Sequence, residues 1–141
     1  MSSSLAKDNA TITIINNSDA FGDDRMELVT PGSYYEKDGT RYIMYDEKED
    51  MGMADCSVMV KVSDDEVTVS RKGAFSSRMR YCPGKATEFI YHMPYGNLPV
   101  ILYTKKIRSE FDKNGGKLML FYTITMQDEK FNHSMVIKVK M

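Results

Sequence analysis

The chain has 141 residues, with 19 Lys plus Arg against 20 Asp plus Glu, a formal net charge of −1. That is the size of one domain, which buries roughly 68–70% of its unfolded surface and needs no covalent staples. No apolar run reaches membrane-spanning length, no basic-then-apolar leader opens the chain, and two cysteines, Cys56 and Cys82, cannot make a disulfide framework.

Ile, Val, Thr and Tyr number nine each and Phe six, against six each of Ala and Leu. β-branched and aromatic residues suit a pleated, half-buried surface, so the composition favours strands over helices. Residues 1–9 read as a flexible lead, and 10–141 as one barrel domain. The first strand is predicted over 11–16, followed by a polar loop, 16–24, that holds Gly22. A second run, 25–30, meets Pro31-Gly32, which bends or bulges the chain before 33–36. Lys37-Asp38-Gly39-Thr40 is a hairpin turn, because an Asp-Gly pair accepts positive φ. Residues 41–46 form the returning strand, and the acidic stretch 46–55 with Gly52 reads as a loop.

Residues 56–63 and 66–71 form a hairpin about Asp64-Asp65. Val58, Val60 and Val62 share one face, opposed by Val67 and Val69. A short strand over 78–82 leads to a turn or bulge at Pro83-Gly84. The strand 87–93 carries Phe89, Tyr91 and Met93 on one side, and Pro94-Tyr95-Gly96-Asn97 turns the chain again. A strand over 98–106 tolerates Pro99 as an edge or starting position. Residues 107–111 fit either strand or one helical turn. After Asn114-Gly115-Gly116 come a long strand, 117–127, a turn at Gln127-Asp128-Glu129-Lys130, and a last strand, 131–140. Eight to ten short strands at this spacing predict an all-β fold. We expect an antiparallel, closed barrel of about eight strands, with a β-sandwich as the alternative. Closure removes sheet edges, and a barrel of that size is either filled by side chains or holds one small ligand.

Strand parity assigns polar side chains to the interior. Phe131, His133, Met135, Ile137 and Val139 share one face of the last strand, and Leu118, Leu120, Tyr122, Ile124 and Met126 one face of the strand before it. Tyr91 goes with Phe89 and Met93, and Arg71 continues the row of Val67 and Val69. Four polar groups therefore point to one interior: Arg71, Tyr91, Tyr122 and His133. Few acidic residues share that parity, so Arg71 is the candidate to hold an anionic head group by bidentate hydrogen bonds. The tyrosines and histidine would set orientation.

Arg78 and Arg80 alternate with Met79 and Tyr81 and are expected outside, where they join Lys72, Lys85, Lys105, Lys106 and Arg108 in a basic surface. The charge is uneven along the chain. Residues 1–70 carry 6 basic and 15 acidic groups, and 71–141 carry 13 basic and 5 acidic. Such a dipole can orient a charged protein partner. The near-zero net charge and the lack of a binding motif argue against nucleic acid. Cys56, Cys82, His92 and His133 have no zinc spacing, and the acidic stretch 46–55 lacks an EF-hand pattern, so no metal or cofactor is expected. No nucleophile elbow, phosphate loop or inward carboxylate pair suggests catalysis. Cys56 shares the parity of Val58 and reads as buried and inert.

An ordered set of motifs spans roughly residues 10 to 140. Gly32-x-Tyr34-Tyr35 is followed by Tyr42-x-x-Tyr45 and the acidic stretch with Gly52. Arg71-Lys72-Gly73, Arg80-Tyr81 with Gly84, and Tyr91 leading into Met93-Pro94-Tyr95-Gly96 come next. Thr104-Lys105 with Ile107, and Gly116 five residues before Phe121-Tyr122, complete the set. In these motifs the chain resembles the YwiB-like proteins, small bacterial β-barrels grouped with the lipocalin-like (calycin) folds and of unassigned function. The resemblance implies a lipocalin-like barrel in a cytoplasmic protein and supplies no catalytic residues. Fatty-acid-binding proteins of the same general architecture hold a carboxylate with an Arg-x-Tyr in the final strand. No arginine stands in 131–140 here, which argues against that manner of binding. The expectation is a non-catalytic barrel taking a small, partly apolar ligand, with Arg71 meeting any acidic group it bears. The alternative is a protein-interaction module with a side-chain-filled interior and a dipolar surface.

Overall fold

The computed structural model describes residues 8–18, 24–47, 55–74, 76–93 and 96–141, the side chains of residues 24, 91 and 93 excepted. Most of the expected lead and the loops around Gly22, Gly52 and Pro94-Tyr95 lie outside the described residues. Ten strands follow in chain order: β1 (Ala10–Ser18), β2 (Asp24–Lys37), β3 (Thr40–Glu47), β4 (Cys56–Val62), β5 (Val67–Gly73), β6 (Ser77–Tyr81), β7 (Ala86–Met93), β8 (Gly96–Asp112), β9 (Gly115–Met126) and β10 (Glu129–Lys140). They form one antiparallel sheet in the order β6-β5-β4-β3-β2-β1-β10-β9-β8-β7, so the first and last strands pair in its middle.

The expected count of about eight is corrected to ten, because every separate run, down to the five-residue β6, is a paired strand. Residues 107–111 are no helical turn. They continue β8 past a bulge between Thr104 and Lys106 and pair with β9. Pro31-Gly32 does not end a strand either. β2 pairs with β1 as far as Gly32 and with β3 from Ser33 onward. At Gly32 the backbone passes so close to the Met44 carbonyl and the Ile12 side chain that a Cβ has no room, so a glycine stands where the strand changes partner.

The sheet curls until its end strands meet, and the apolar faces fill the interior. β4 alternates strictly, with Cys56, Val58, Val60 and Val62 buried and Ser57, Met59 and Lys61 exposed. Ile12, Ile43, Val69, Met79, Leu102, Leu118 and Ile137, from seven different strands, belong to one contiguous buried cluster. Burial of side chains of this kind contributes about 1.5–3 kcal/mol each and holds the cylinder together.

The wall is not fully laddered. Among the described residues, the one bridge between β6 and β7 is Ser76 to His92, with both main-chain bonds made at 3.2 and 3.1 Å. Two local demands conflict there. The amide of Lys85 donates to the Cys82 carbonyl at 3.0 Å, and Gly84 has φ 77°, so Pro83-Gly84 is a two-residue turn that sets Cys82 opposite Lys85. Counting on from that turn puts Ser76 opposite Tyr91 and buried Met79 opposite exposed Glu88. The bridge instead puts Ser76 opposite His92, and so Met79 opposite buried Phe89. A one-residue slip reverses the face of every side chain, and burial enforces the second register. Turns of this unprimed kind also splay the strands they join. The turn is drawn toward β8 as well, by Gly84 donating to the Thr104 carbonyl at 2.8 Å and Thr104 donating to the Lys85 carbonyl at 3.1 Å. The barrel is therefore nearly closed, with a seam. Among the described residues no helix is long and apolar enough to cross a membrane.

Candidate functional site

Tyr45, Val58, Arg71 and Ser77 are successive cross-strand partners on β3, β4, β5 and β6. Parity turns them inward, and Glu47 lies two residues beyond Tyr45 on the same face of β3. Arg71 reaches over β4 to Glu47. Its Nε donates to Oε1 at 3.2 Å and its Nη2 to Oε2 at 3.3 Å. The two side chains are 13% and 5% exposed. This fork-to-fork pair is the geometry in which guanidinium binds carboxylate best.

Tyr45 is buried beside this pair. Burial is the main reason its hydroxyl is pushed up to about 12; Arg71 opposes the rise, while Glu47 and Tyr122 add to it. Tyr122 faces Tyr45 from β9. Its ring stacks on His133, its direct partner on β10, with centroids 5.3 Å apart and planes 7° from parallel. It also meets Tyr81 edge-on, at 4.9 Å and 76°. Among the described residues the buried Ser77 hydroxyl has no hydrogen-bond partner.

Three of the four expected interior residues, Arg71, Tyr122 and His133, are thus linked in one polar cluster through Tyr45. The side chain of Tyr91 lies outside the described residues. The role expected of Arg71 needs correcting: its carboxylate-binding fork is occupied by Glu47, so it presents no ready anion receptor. Parity reasoning missed Glu47 because the acidic stretch was read as loop from residue 46, whereas β3 continues through Glu47. The usable signal was alternation, since Ile43, Tyr45 and Glu47 share a face. Cys56 is buried, as its parity implies, and Cys82 is partly exposed.

A surface cleft of about 390 Å³ reaches the cluster. Asp46, Glu47, Asp55, Cys56 and Lys72 line it, so carboxylates dominate its charge. A second cleft, of about 630 Å³, follows the seam and is lined by Ser77, Arg78, Arg80, Glu88, Phe89 and Ile90 among others. Arg78, Arg80, Lys72, Lys85, Lys105, Lys106 and Arg108 are all exposed, as expected. No group of three or more metal-ligating side chains occurs among the described residues.

Known proteins resemble this chain along most of its length. The "Uncharacterized beta-barrel protein YwiB" of Bacillus subtilis (strain 168) is 35% identical over 113 residues, 79% of this chain and 78% of that one. The crystal structure of the ywiB protein from Bacillus subtilis superposes with a TM-score of 0.84 at 30% identity, covering 98% of this chain and 96% of the other. Residues 11–137 match the model of a domain of unknown function, DUF1934. The chain therefore belongs to the DUF1934 family, the YwiB-like β-barrels.

Proposed function

We propose that this protein is a non-catalytic, lipocalin-like binding module. It takes a small, partly apolar ligand whose polar end meets the Tyr45–Arg71–Glu47–Tyr122–His133 cluster. The supporting observation is the company this cluster keeps. A charged pair, a neutral tyrosine and an unpartnered Ser77 hydroxyl are buried among apolar side chains, where burying charge gains little stability over an apolar filling. A few convergent polar groups in an apolar setting are the usual form of a small-molecule site. Because Glu47 already neutralises Arg71, the ligand needs hydrogen-bonding groups for Tyr45, Ser77 and His133 rather than a negative charge.

Native mass spectrometry of freshly purified protein, followed by a thermal-shift screen of a small-molecule library, tests this reading. A co-purifying or screened ligand whose binding weakens at least tenfold in Tyr122→Phe or Ser77→Ala supports it. Absence of any binder, or binders indifferent to both changes, overturns it.

A second reading, a protein-interaction module, has its own support. Strands β1 to β5 form one continuous stretch of wall and β10 to β7 another, so the acidic and basic halves of the chain are laid out as opposite sides of one cylinder. Association driven by that dipole would be fast and would weaken with salt.

A further inference from the structure

We infer that the outer face of β8, β9, β10 and β1 is a docking surface for an acidic patch on a partner protein. The inference rests on the second reading above and gives it a place. Register builds the surface row by row. Arg108, Met119, Val136 and Ile15 are successive cross-strand partners, and so are Glu110, Lys117, Lys138 and Thr13 in the next row. These rows alternate with the buried Leu118, Leu120, Ile137 and Ile14, so they point away from the core.

Two features of this face are not what a solvated sheet surface needs. The first is apolar. A sheet with one face in water alternates apolar-in with polar-out. Here Met119, Val136 and Ile15, all half-buried, run unbroken across three strands on the outside, with half-buried Phe121 next to Met119 along β9. The second is charge. Lys117 and Lys138 stand directly opposite each other, a placement that costs the fold stability. With them Lys105, Lys106, Arg108 and Lys140 are exposed, against two carboxylates, Glu110 and Asp112. Among the described residues no ion pair engages any of these six cations, and Lys105 donates to Asn132 Oδ1 at 3.0 Å. A carboxylate-rich surface with an apolar centre answers both features together. Its anions relieve the Lys117–Lys138 repulsion, and its apolar side chains cover the strip. Protein interfaces have this build, with Met and aromatic residues at the core and charge at the rim. A nucleic acid would supply anions too, but base stacking needs open rings, and the ring in this strip is half-buried. A long polyanion would also run off the face onto a chain whose net charge is −1.

The probe is a fluorescein-labelled helical peptide whose Leu stripe is bordered by Glu, with the same peptide carrying Lys for Glu and a labelled single-stranded oligo-dT as comparators. Anisotropy follows affinity, and amide shifts of ¹⁵N-labelled protein locate the site. We expect the Glu-Leu peptide to bind with shifts centred on Arg108, Lys117, Val136 and Lys138, and to weaken several-fold between low and high salt. Lys117→Glu should weaken it at least tenfold. That change turns a like-charge pair into an opposite one, so the melting temperature should equal or exceed the parent's, which separates lost binding from lost folding. Val136→Ser should weaken binding several-fold while leaving its salt dependence unchanged. No binding of the Glu-Leu peptide, or preferred binding of the Lys-Leu peptide or of oligo-dT, overturns the inference. So does self-association of the protein through the same amides. Salt-sensitive binding that maps elsewhere and is unmoved by both variants overturns this face, while the dipolar reading survives.

Discussion

Arg41 and Arg71 both belong to the wall built by β3 to β5, yet they serve opposite ends of the barrel. Arg41, at the start of β3, lies at the end closed by the tight turns at Asp38-Gly39 and Pro83-Gly84. Its Nη2 donates to the Phe111 carbonyl at 3.2 Å, its guanidinium lies 5.9 Å from the Phe111 ring centre, and exposed Glu36 is 3.5 Å away. Tyr34 completes the clasp by stacking on Phe111 and donating to the Asp112 carbonyl at 2.9 Å. Arg71, at the other end, meets the buried carboxylate of Glu47 and is itself only 13% exposed. The turn end spends its arginine on joining β3 to the end of β8, where solvent still screens the charge. The far end holds a neutralised charge pair inside the protein, an arrangement that closure alone does not require. That contrast is why the Arg71 end, and not the equally aromatic Arg41 end, is the candidate site.

Removing one partner at the buried end should give the largest effect. Arg71→Ala leaves Glu47 as an unpaired buried carboxylate and should cost about 3–5 kcal/mol in urea unfolding. The double change Arg71→Met with Glu47→Leu should recover most of that loss, because two apolar groups need no partner. A single-variant cost below about 1 kcal/mol would mean the pair is effectively solvated, and the contrast between the ends would vanish.

Alkaline pH should sharpen the contrast next. Below pH 10 both folded and unfolded chains keep the Tyr45 proton. Between pH 10 and about 12 only the unfolded chain releases it, since burial holds the folded value near 12. The folded state then binds more protons, so stability must fall as pH rises through this window, by about 2–3 kcal/mol in all. Tyr45→Phe should flatten that part of the pH–stability curve. Equal slopes in the two proteins would show that the hydroxyl is not shielded.

Arg41→Ala comes third. It removes one hydrogen bond and a partly exposed ring contact, and should cost about 1–2 kcal/mol. A loss equal to that of Arg71→Ala would make the two ends energetically alike.

These differences also mark what was legible in the residues. Inward parity found Arg71, Tyr122 and His133 because strict alternation survives in the middle of a strand. It failed at Glu47, where a run of acidic residues looked like solvent-exposed loop although the strand had two residues still to run. Cross-lumen partners such as Tyr45 with Tyr122, or Arg41 with Phe111, join strands that are not neighbours in the sheet, and no local pattern encodes that distance. The lengths of β2 and β8 were underestimated for a related reason. Pro31-Gly32 and the residues around Lys105 break the periodicity, yet tertiary pairing carries β2 and β8 through both. The seam was hidden because its cause is a disagreement between two signals, a clear turn and a clear apolar alternation, each of which is correct by itself.

The smallest effect concerns the two thiols, one toward each end. Cys56 is buried beside Glu47 at the Arg71 end, 5% exposed. Cys82 is partly exposed at the turn end, where its thiol donates to Glu66 Oε1 at 3.4 Å. Burial, then the hydrogen bond to that carboxylate, holds the Cys82 thiol above its ordinary range. Arg80 in turn holds the Glu66 carboxyl below its own, so the acceptor stays charged at neutral pH. Thiolate is the reacting form. Iodoacetamide at pH 8 should therefore modify Cys82 slowly and Cys56 more slowly still. Glu66→Gln removes the negative acceptor and should speed Cys82 a few-fold while leaving Cys56 unchanged, as read by peptide mass mapping. Equal acceleration at both thiols would mean that the substitution loosens the whole barrel, and that the two ends are not independent.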